Sequence, residues 1–430
     1  MKVKGFLKDV TGASRVVKAR RNLIKESSPE NQYKDHIRDV AVELHPAVTH
    51  VRVSKVEVVS PTAKKITFVP DQGDVLPPFQ AGQYASLDFK IPNGDGTTTV
   101  TTRPYSICSA PYQARQGADS YFELTIRNGK PGVGYVSCWI YDNIKEGDTF
   151  TAHVPFGHFY YEPLRDASRV VALAGGSGIT PFYSMAQEIA HGTLDMDLTI
   201  LYGSVSTKDI ILKEQLESID SDRVRFVNVI SGDEDLTGVE SKEPIESGFV
   251  NRELIKKYTD GDPADGNTSY FVCGPLPMYN FVSGELKALG VPRRRIRMEV
   301  FGAPRDITQA TGYRIRKAAD QLPENSKVVG YPGRVADQVV TLTVDRGLEK
   351  TEIAASTAEP LAVAMERAGI PNNTRCRSGA CGYCRSKLIS GDVFVPDTGD
   401  GRRYADKKFG YVHACSTYPL GDTEIKIIID

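Results

Sequence analysis

The chain has 430 residues, of which 40% are hydrophobic, and a formal net charge of −1 at pH 7. This length predicts two to four domains with ordinary globular cores and excludes a peptide or a disordered tail. A nearly neutral chain offers no overall attraction to nucleic acid or to an anionic membrane, so we expect neither as a partner. No apolar run approaches the ~18 residues that span a bilayer, and no signal-peptide pattern follows the first lysines.

The chain contains seven cysteines. Four of them form one pattern near the C-terminus, whereas Cys108, Cys138 and Cys273 are scattered through separate segments. An odd remainder of this kind argues against the disulfide framework of a secreted protein. We therefore expect a reducing, cytoplasmic environment.

Residues 1–46 form a basic extension. In its first 25 residues Asp9 is the single acidic side chain, against Lys2, Lys4, Lys8, Arg15, Lys18, Arg20, Arg21 and Lys25. Such a segment is either a solvated extension or a basic helix that rests on a domain or on a partner. The sequence leaves both interpretations open.

Residues 47–165 predict an all-β domain. Short segments rich in β-branched residues alternate with turn residues such as Pro77-Pro78 and Glu146-Gly147-Asp148. The predicted strands are Val51–Val53, Val56–Val58, Ile66–Phe68, Tyr84–Phe89, Tyr121–Ile126 and Thr149–Val154. This pattern indicates an antiparallel barrel or sandwich.

Residues 166–302 predict a parallel α/β domain, because strands there alternate with helices. The predicted strands are 170–174, 198–202, 224–229 and 270–273, and a helix is predicted over 182–191. The first strand leads into a glycine-rich turn, Gly175–Pro181, where small residues admit a ligand and the next helix begins. The amides at such a helix start bind a pyrophosphate. Residues 303–337, rich in Pro and Gly, predict a linker.

Residues 338–430 contain the most specific motif. Cys376, Cys381 and Cys384 have C-x4-C-x2-C spacing, and Cys415 stands alone further on. These four are the ligand set of a plant-type [2Fe-2S] cluster. A structural zinc site usually uses two closely spaced pairs, and a disulfide would leave awkward geometry among thiols this close in sequence.

This last segment resembles a plant-type ferredoxin module. A hairpin over 339–353 and a helix over 359–368 precede the cysteine loop, and the closing ligand lies in His413-Ala414-Cys415. The resemblance implies an α+β fold of the β-grasp type.

Upstream motifs, taken in order, resemble the ferredoxin NADP reductase superfamily. They are Arg103-Pro104-Tyr105-Ser106, Gly134-x-x-Ser137, the turn at Gly175, Cys273-Gly274-Pro275 and Glu299-Val300-Phe301-Gly302. The resemblance covers Val51–Gly302 and implies a flavin-binding β-barrel followed by an NAD(P)-binding domain. A flavin domain, a nicotinamide domain and a [2Fe-2S] domain in this order look like the phthalate dioxygenase reductase arrangement.

The resemblance also assigns roles. Arg103 supplies a guanidinium for the flavin phosphate, Tyr105 a face for the isoalloxazine, and Ser106 a hydroxyl for flavin N5. Ser106, Cys273 and Glu299 are the expected catalytic groups. The other expected cofactor-binding residues are Pro104, Arg127, Gly134, Tyr135, Val136, Ser137, Gly175, Gly176, Ser177, Gly178, Thr180, Gly274, Pro275 and Phe301.

The expected activity is that of an NAD(P)H-dependent oxidoreductase, which passes electrons from a flavin through the cluster to a one-electron acceptor protein. FAD is favoured over FMN, and NADH over NADPH. The acceptor is an oxygenase, a hybrid-cluster protein, a corrinoid protein or another carrier. Two alternatives stay open, namely a non-catalytic redox sensor or scaffold and a reductase that runs from reduced ferredoxin to NAD+. Arg375 and Arg385 flank the cysteines and face either an acidic partner or the protein's own flavin domain.

Overall fold

The computed structural model describes residues 5–27, 35–93, 96–129, 134–232, 235–237, 239, 241–300, 302, 307, 310, 312–313, 339–347, 349–397 and 400–427. Phe301 and nearly all of the expected linker 303–337 lie outside these residues. The chain divides into two compact units, Met1–Pro46 and Ala47–Asp430.

The first unit contains two helices, α1 (Phe6–Glu26) and α2 (His36–Leu44). Asp35 caps α2, since its carboxylate accepts a hydrogen bond from the Arg38 amide at 3.0 Å. No residue of α2 is buried, and α1 exposes Leu23 and Ile24. The basic extension is therefore helical where the structure describes it.

The second unit begins with a six-stranded antiparallel sheet in the order β4-β3-β6-β1-β2-β5. Its strands are β1 (Thr49–Ser60), β2 (Ala63–Pro70), β3 (Tyr84–Pro92), β4 (Thr98–Ser106), β5 (Phe122–Arg127) and β6 (Thr149–Phe156), and helix α3 (Tyr135–Asn143) precedes β6. The two strands predicted at 51–53 and 56–58 are one strand, β1, with a register shift between Val53 and Lys55. A bulge of this kind bends a strand without ending it, which explains why the sequence pattern is interrupted there.

The sheet closes into a barrel. Ile107, just after β4, forms an antiparallel bridge with Leu124 of β5, and the Cys108 amide donates to the Glu123 carbonyl at 2.9 Å. Phe68 and Phe122 stack inside the barrel with ring centroids 5.2 Å apart. Burial of each large apolar side chain contributes roughly 1.5–3 kcal/mol, so the inward face of these strands stabilises the closure.

A six-stranded parallel sheet follows, in the order β10-β9-β8-β7-β11-β12. Its elements are β7 (Arg169–Gly175), α4 (Thr180–His191), β8 (Asp197–Ser204), α5 (Lys213–Glu217), β9 (Val224–Ile230), β10 (Ile245–Ser247), α6 (Arg252–Tyr258), β11 (Thr268–Cys273), α7 (Leu276–Ala288) and β12 (Ile296–Glu299). The order reverses between β7 and β11, and ligands of open α/β sheets bind at the carboxyl ends of the strands at such a point. Both glycine-containing turns that the sequence singles out follow these two strands.

The parallel sheet is covered on both faces. On one face, Phe182 and Met185 of α4 pack with barrel residues such as Phe159. On the other face, Ile255 of α6 and Val282 of α7 pack against the alternate side chains of the strands. A few residues of the barrel domain therefore join the core on one face of the parallel sheet, whereas the barrel interior forms a core of its own.

The third sheet has five strands in the order β14-β13-β19-β15-β17, and a separate pair joins β16 and β18. The elements are β13 (Val339–Asp345), β14 (Lys350–Ser356), α8 (Leu361–Arg367), β15 (Arg385–Ser390), β16 (Val393–Phe394), α9 (Tyr404–Lys408), β17 (Tyr411–His413), β18 (Tyr418–Pro419) and β19 (Thr423–Ile427). Strand β13 pairs antiparallel with β14 and parallel with β19. Helix α8 covers this mixed sheet through Leu361 and Met365.

The expected fold class is confirmed. An antiparallel barrel, a parallel α/β sheet and a mixed α+β sheet follow one another in the second unit. Among the described residues, no helix combines the length and the apolar character needed to cross a membrane.

Candidate functional site

A cavity of about 1050 Å³ receives the ends of all three sheets. Its walls include the turn after β7, the turn after β11, the end of β4 and the ligand Cys415. The expected cofactor-binding residues that line it are Arg103, Pro104, Tyr105, Ser106, Arg127, Gly134, Tyr135, Val136, Ser137, Gly175, Gly176, Ser177, Gly178, Thr180, Cys273, Gly274 and Pro275. The structure thus brings together every residue of that set except Phe301, which lies outside the described residues.

The barrel contributes the end of β4 and the start of α3. Gly134 begins α3 with a φ of 80°, a left-handed conformation that glycine adopts without strain. The hydroxyls of Tyr105 and Ser137 lie 3.3 Å apart, which ties β4 to the first turn of α3. Burial raises the pKa of Tyr105, so its phenol stays neutral. Unpaired amides at a helix start suit a phosphate, so this wall fits the phosphate end of a flavin cofactor.

The parallel sheet contributes two turns in close contact. A Cβ atom on Gly178 would lie 2.1 Å from the Cys273 carbonyl oxygen, and one on Gly175 would lie 2.4 Å from the Met278 sulfur. Space alone therefore requires glycine at Gly178, where the obstacle is backbone, whereas at Gly175 the Met278 side chain would have to move. The resulting cradle of backbone at the start of α4 fits a dinucleotide pyrophosphate.

The three expected catalytic groups lie near one another, where the barrel meets the parallel sheet. The Ser106 hydroxyl donates to Glu299 Oε2 at 3.5 Å, and Glu299 pairs in register with Cys273 across β11 and β12. Burial raises the pKa of the Glu299 carboxyl well above its usual value, and the nearby Cys376 adds to this. Burial, with Glu299 beside it, likewise raises the pKa of the Cys273 thiol. In both groups burial therefore favours the uncharged form more than water does.

Arg127 reaches the cavity but is already paired. Its guanidinium donates to Asp209 Oδ2 at 2.7 Å, and the same carboxylate accepts from the hydroxyls of Ser60 at 2.8 Å and Thr62 at 2.7 Å. Asp209 follows β8 in the α/β sheet, whereas the other three residues belong to the barrel. These hydrogen bonds fix the α/β sheet against the barrel at the edge of the cavity.

The four cysteines of the ligand set converge. The thiols of Cys376 and Cys381 lie within hydrogen-bonding distance of one another, as do those of Cys376 and Cys415 and those of Cys384 and Cys415. Amides also face the sulfurs, since Gly379 N donates to Cys415 Sγ at 3.3 Å and Cys381 N to Cys376 Sγ at 3.4 Å.

The loop that carries these cysteines has the shape that a cluster needs. Gly379 and Gly382 have φ angles of 76° and 80°, so the chain turns tightly around the sulfurs. Amide groups that face the sulfurs of Cys376 and Cys415 stabilise thiolates, the form of cysteine that binds iron. Four sulfurs and nearby amide donors fit a [2Fe-2S] cluster.

Both arginines at the rim of this loop have partners inside the protein. Arg385 pairs with Asp406 at 2.5 Å and stacks on the Tyr411 ring. Arg375 lies over Tyr383, and the nearby Asp88 of the barrel acts on its charge. Of the two interpretations of Arg375, the structure therefore supports contact with the protein's own flavin domain.

Several residues of the site have no motif that identifies them. Asp209 and Glu366 are single acidic residues outside any local pattern. Tyr84 is buried and pairs in register with Ser106, and burial is the main cause that raises the pKa of its phenol. The segment Gly82-Gln83-Tyr84 precedes the flavin motif along the chain, and this proximity in sequence is the available signal for Tyr84.

We expect Glu299→Gln to change how stability depends on pH. A carboxyl whose pKa is raised in the folded state holds more protons there than in the unfolded chain, so its contribution to stability falls as pH rises above about 4.3. Glutamine does not titrate, so the free energy of unfolding of the variant does not fall in this way as the pH rises. Thermal unfolding from pH 4 to pH 9 should show an advantage for Glu299→Gln that grows with pH, and a difference independent of pH would contradict the assignment.

We expect Gly178→Ala to weaken dinucleotide binding by at least tenfold, about 1.4 kcal/mol. The new methyl group would press on the Cys273 carbonyl, and backbone cannot rotate away. The matched control is Gly284→Ala in α7, where an added Cβ has no atom within 4 Å. Calorimetric titration with NAD+ measures both, and equal affinities in the two variants would contradict the steric argument.

Comparison with known protein families assigns two parts of the chain. The oxidoreductase NAD-binding domain family matches residues 172–284, and the 2Fe-2S iron-sulfur cluster binding domain family matches residues 344–420. The first match contains the glycine turn and Cys273. The second contains all four cysteines of the ligand set.

Similar proteins extend over most of the chain. NADH oxidoreductase HCR of Escherichia coli is 27% identical over 80% of this chain and 88% of its own length. The glycine betaine monooxygenase reductase subunit of Pseudomonas aeruginosa is 29% identical over 83% of this chain and 89% of its own length. The solved structure of phthalate dioxygenase reductase superposes with a TM-score of 0.56 and 19% identity, over 89% of this chain and 98% of that one, and shares the fold.

These matches confirm the expected cofactors, which are a [2Fe-2S] cluster, FAD and NADH. They also confirm that the protein is an enzyme. The chain is therefore an NAD(P)H-dependent electron-transfer reductase with a C-terminal plant-type [2Fe-2S] domain, similar to reductases of the ferredoxin NADP reductase type.

Proposed function

We propose that this reductase delivers single electrons from its cluster to a separate acceptor protein, and that the residues of the cavity have the roles the sequence suggests. The observation that carries the proposal is the continuity of the cavity. One space of about 1050 Å³ touches the glycine turn at Gly175, the flavin motif at Arg103–Ser106 and the cluster ligand Cys415. Nucleotide, flavin and cluster sites are therefore neighbours.

The proposed domains are residues 47–165 for the flavin, 166–302 for the nicotinamide dinucleotide and 338–430 for the cluster, with 303–337 as linker and 1–46 as an N-terminal extension. In this scheme Arg103 and the α3 amides hold the flavin phosphates, and Tyr105 lies against the isoalloxazine. The cradle at Gly175–Gly178 and Thr180 holds the dinucleotide. Each motif occurs once, so we expect one flavin and one cluster per chain.

When bound, the flavin accepts two electrons from reduced nicotinamide and releases them one at a time to a [2Fe-2S] cluster. The chain supplies positions and protons around this chemistry. Ser106 lies at the flavin side of the cavity, and its hydroxyl donates a hydrogen bond to Glu299 Oε2 at 3.5 Å. The protonated Cys273 offers an uncharged surface for the nicotinamide, and Tyr84 and Phe156, whose rings stack, exclude water beside the cluster loop.

The acceptor belongs to the same proposal. One relative is named a monooxygenase reductase subunit, and another, from Escherichia coli, is named as a subunit of 1,2-phenylacetyl-CoA epoxidase. Both names support an oxygenase component as the first acceptor to test, ahead of a hybrid-cluster protein, a corrinoid protein or another carrier. Four cysteines that serve a [2Fe-2S] cluster, with three more scattered in separate segments, support a reducing compartment such as the cytoplasm.

We expect Cys381→Ser to abolish stable cluster assembly while NADH still reduces the flavin. Cys381 is one of four thiolates, and three do not complete the ligand set. Stopped-flow absorbance after anaerobic mixing with NADH measures flavin reduction, and electron paramagnetic resonance measures the cluster.

Cys138→Ser is the matched control, because Cys138 is half-buried in α3 and is not part of the ligand set. It should keep both signals. Loss of flavin reduction in a folded Cys381→Ser protein would show that the two centres are not separate modules, and the proposed division of roles would then be wrong.

We further propose that the preference for NADH arises at the end of β8. Val205 lines the cavity there and offers no charge for the 2′-phosphate of NADPH. Arg223 is held by Asp195 at 2.9 Å and Asp197 at 2.8 Å, so that cation is committed elsewhere. Arg127, also in the cavity wall, is held by Asp209 at 2.7 Å, so that guanidinium is engaged as well.

We therefore expect kcat/KM for NADH to exceed that for NADPH by at least tenfold. Val205→Arg should raise the relative value for NADPH by about tenfold, since a charge-assisted hydrogen bond contributes about 1.5–3 kcal/mol. Val75→Arg is the matched control, because Val75 is 80% exposed on the barrel. Steady-state kinetics with both nucleotides give the ratio, and a wild-type preference for NADPH would refute the argument.

A further inference from the structure

A buried ion pair joins the cluster loop to the flavin-binding strand. Arg377 directly follows the ligand Cys376, and its side chain runs between α8 and β4. Glu366 of α8 accepts a hydrogen bond from its guanidinium. On the β4 side, the Thr102 carbonyl accepts from Arg377 Nε at 2.6 Å, and the Thr101 hydroxyl accepts from Nη2 at 3.0 Å. Arg377 and Glu366 are 7% and 6% exposed, so both charges are removed from water.

The same carboxylate reaches the flavin motif. Glu366 Oε2 accepts from the Thr101 hydroxyl at 3.2 Å and lies 3.8 Å from Arg103 Nη1. Arg103 also donates to the Thr101 hydroxyl. One carboxylate is therefore shared by a guanidinium from the flavin motif and a guanidinium from the cluster loop, with the Thr101 hydroxyl between them.

The charges of this group favour an anion in the cavity. Arg103 and Arg377 both line the cavity wall, whereas Glu366 is the acidic member of the group. Arg103 and Arg377 therefore place two guanidinium groups at the space that the flavin motif borders. A phosphate placed there would be held by guanidinium groups, which bind phosphate well.

The backbone of the cluster loop is shaped for this contact. Arg377 has a φ of 54°, in the left-handed region that non-glycine residues rarely adopt. This conformation turns the side chain away from the sulfurs and toward β4. The contacts with Glu366, Thr101 and Thr102 offset the backbone strain.

We propose that Arg377 and Glu366 are positioning residues that lock the cluster loop onto strand β4, so that flavin binding at Arg103 and docking of the cluster domain stabilise each other. The coupling is reciprocal, because thermodynamic linkage requires flavin binding to favour docking by the same factor as docking favours flavin binding. The proposal rests on the proposed flavin site at Arg103. It concerns the closed arrangement of the two domains and adds no chemical step.

The test compares the full-length holoprotein with Arg377→Met by two measurements that need no electron transfer. Breaking a buried ion pair from one side should increase the opening of the interface on the order of a hundredfold. Hydrogen exchange should therefore accelerate in β4 (Thr98–Ser106) and in the cluster loop. The dissociation constant of FAD, measured by fluorescence on flavin-depleted protein, should rise at least tenfold.

Arg385→Met is the matched control, since it removes an arginine next to another ligand whose partner Asp406 lies within the cluster domain. It should change neither measurement. The absorption of the cluster should persist in both variants. Wild-type exchange and wild-type FAD affinity in Arg377→Met would overturn the proposal.

If Arg377→Met assembles no cluster, Glu366→Gln and Thr101→Val decide the matter, because both positions lie outside the cysteine loop. Each should accelerate exchange in β4 and weaken FAD binding, and normal values in both would refute the coupling. A wild-type protein that binds FAD but does not oxidise NADH would count against the proposed function alone. The two hypotheses therefore fail on different observations.

Discussion

The near contact between the turn after β7 and the turn after β11 is the constraint on which the nucleotide half of the site depends. Gly178 can approach the Cys273 carbonyl only because it has no side chain, and this approach brings two strand ends of the parallel sheet together. The barrel then docks on the same edge through the Asp209 carboxylate and through a shared hydrophobic core. One added methyl group at this junction would displace both turns and the barrel that docks beside them, because close-packed interiors transmit strain.

Electrostatics divides the cavity into two regions. Around the cluster, amide donors and converging thiols stabilise negative charge on sulfur. Near Ser106, by contrast, burial raises the pKa of Glu299 and of Cys273, which disfavours negative charge there. The buried Arg377 and the partly exposed Arg103 place positive charge at the cavity wall.

Local patterns predicted the barrel strands, the parallel α/β sheet and the cysteine ligand set, because alternation in strands, glycine at turns and ligand spacing are short-range signals. The resemblance to known families supplied the β-grasp fold and the cofactor-binding residues, which form about half of the cavity wall. The two segments of β1 were taken for separate strands, because a bulge interrupts the alternation without ending the strand. The pairing of Arg375 and Arg385 inside the protein, and the roles of Asp209 and Glu366, depend on contacts between residues far apart in the chain, such as Arg377 with Thr102. Composition and spacing contain no information about such contacts.

Anaerobic stopped-flow absorbance of the holoprotein after mixing with NADH tests the central claim most directly. The account predicts that flavin absorbance falls first and that cluster absorbance falls afterwards, at a rate independent of protein concentration, because both centres border one cavity in one chain. Cluster reduction that precedes flavin reduction, or that depends on a second protein molecule, would contradict it.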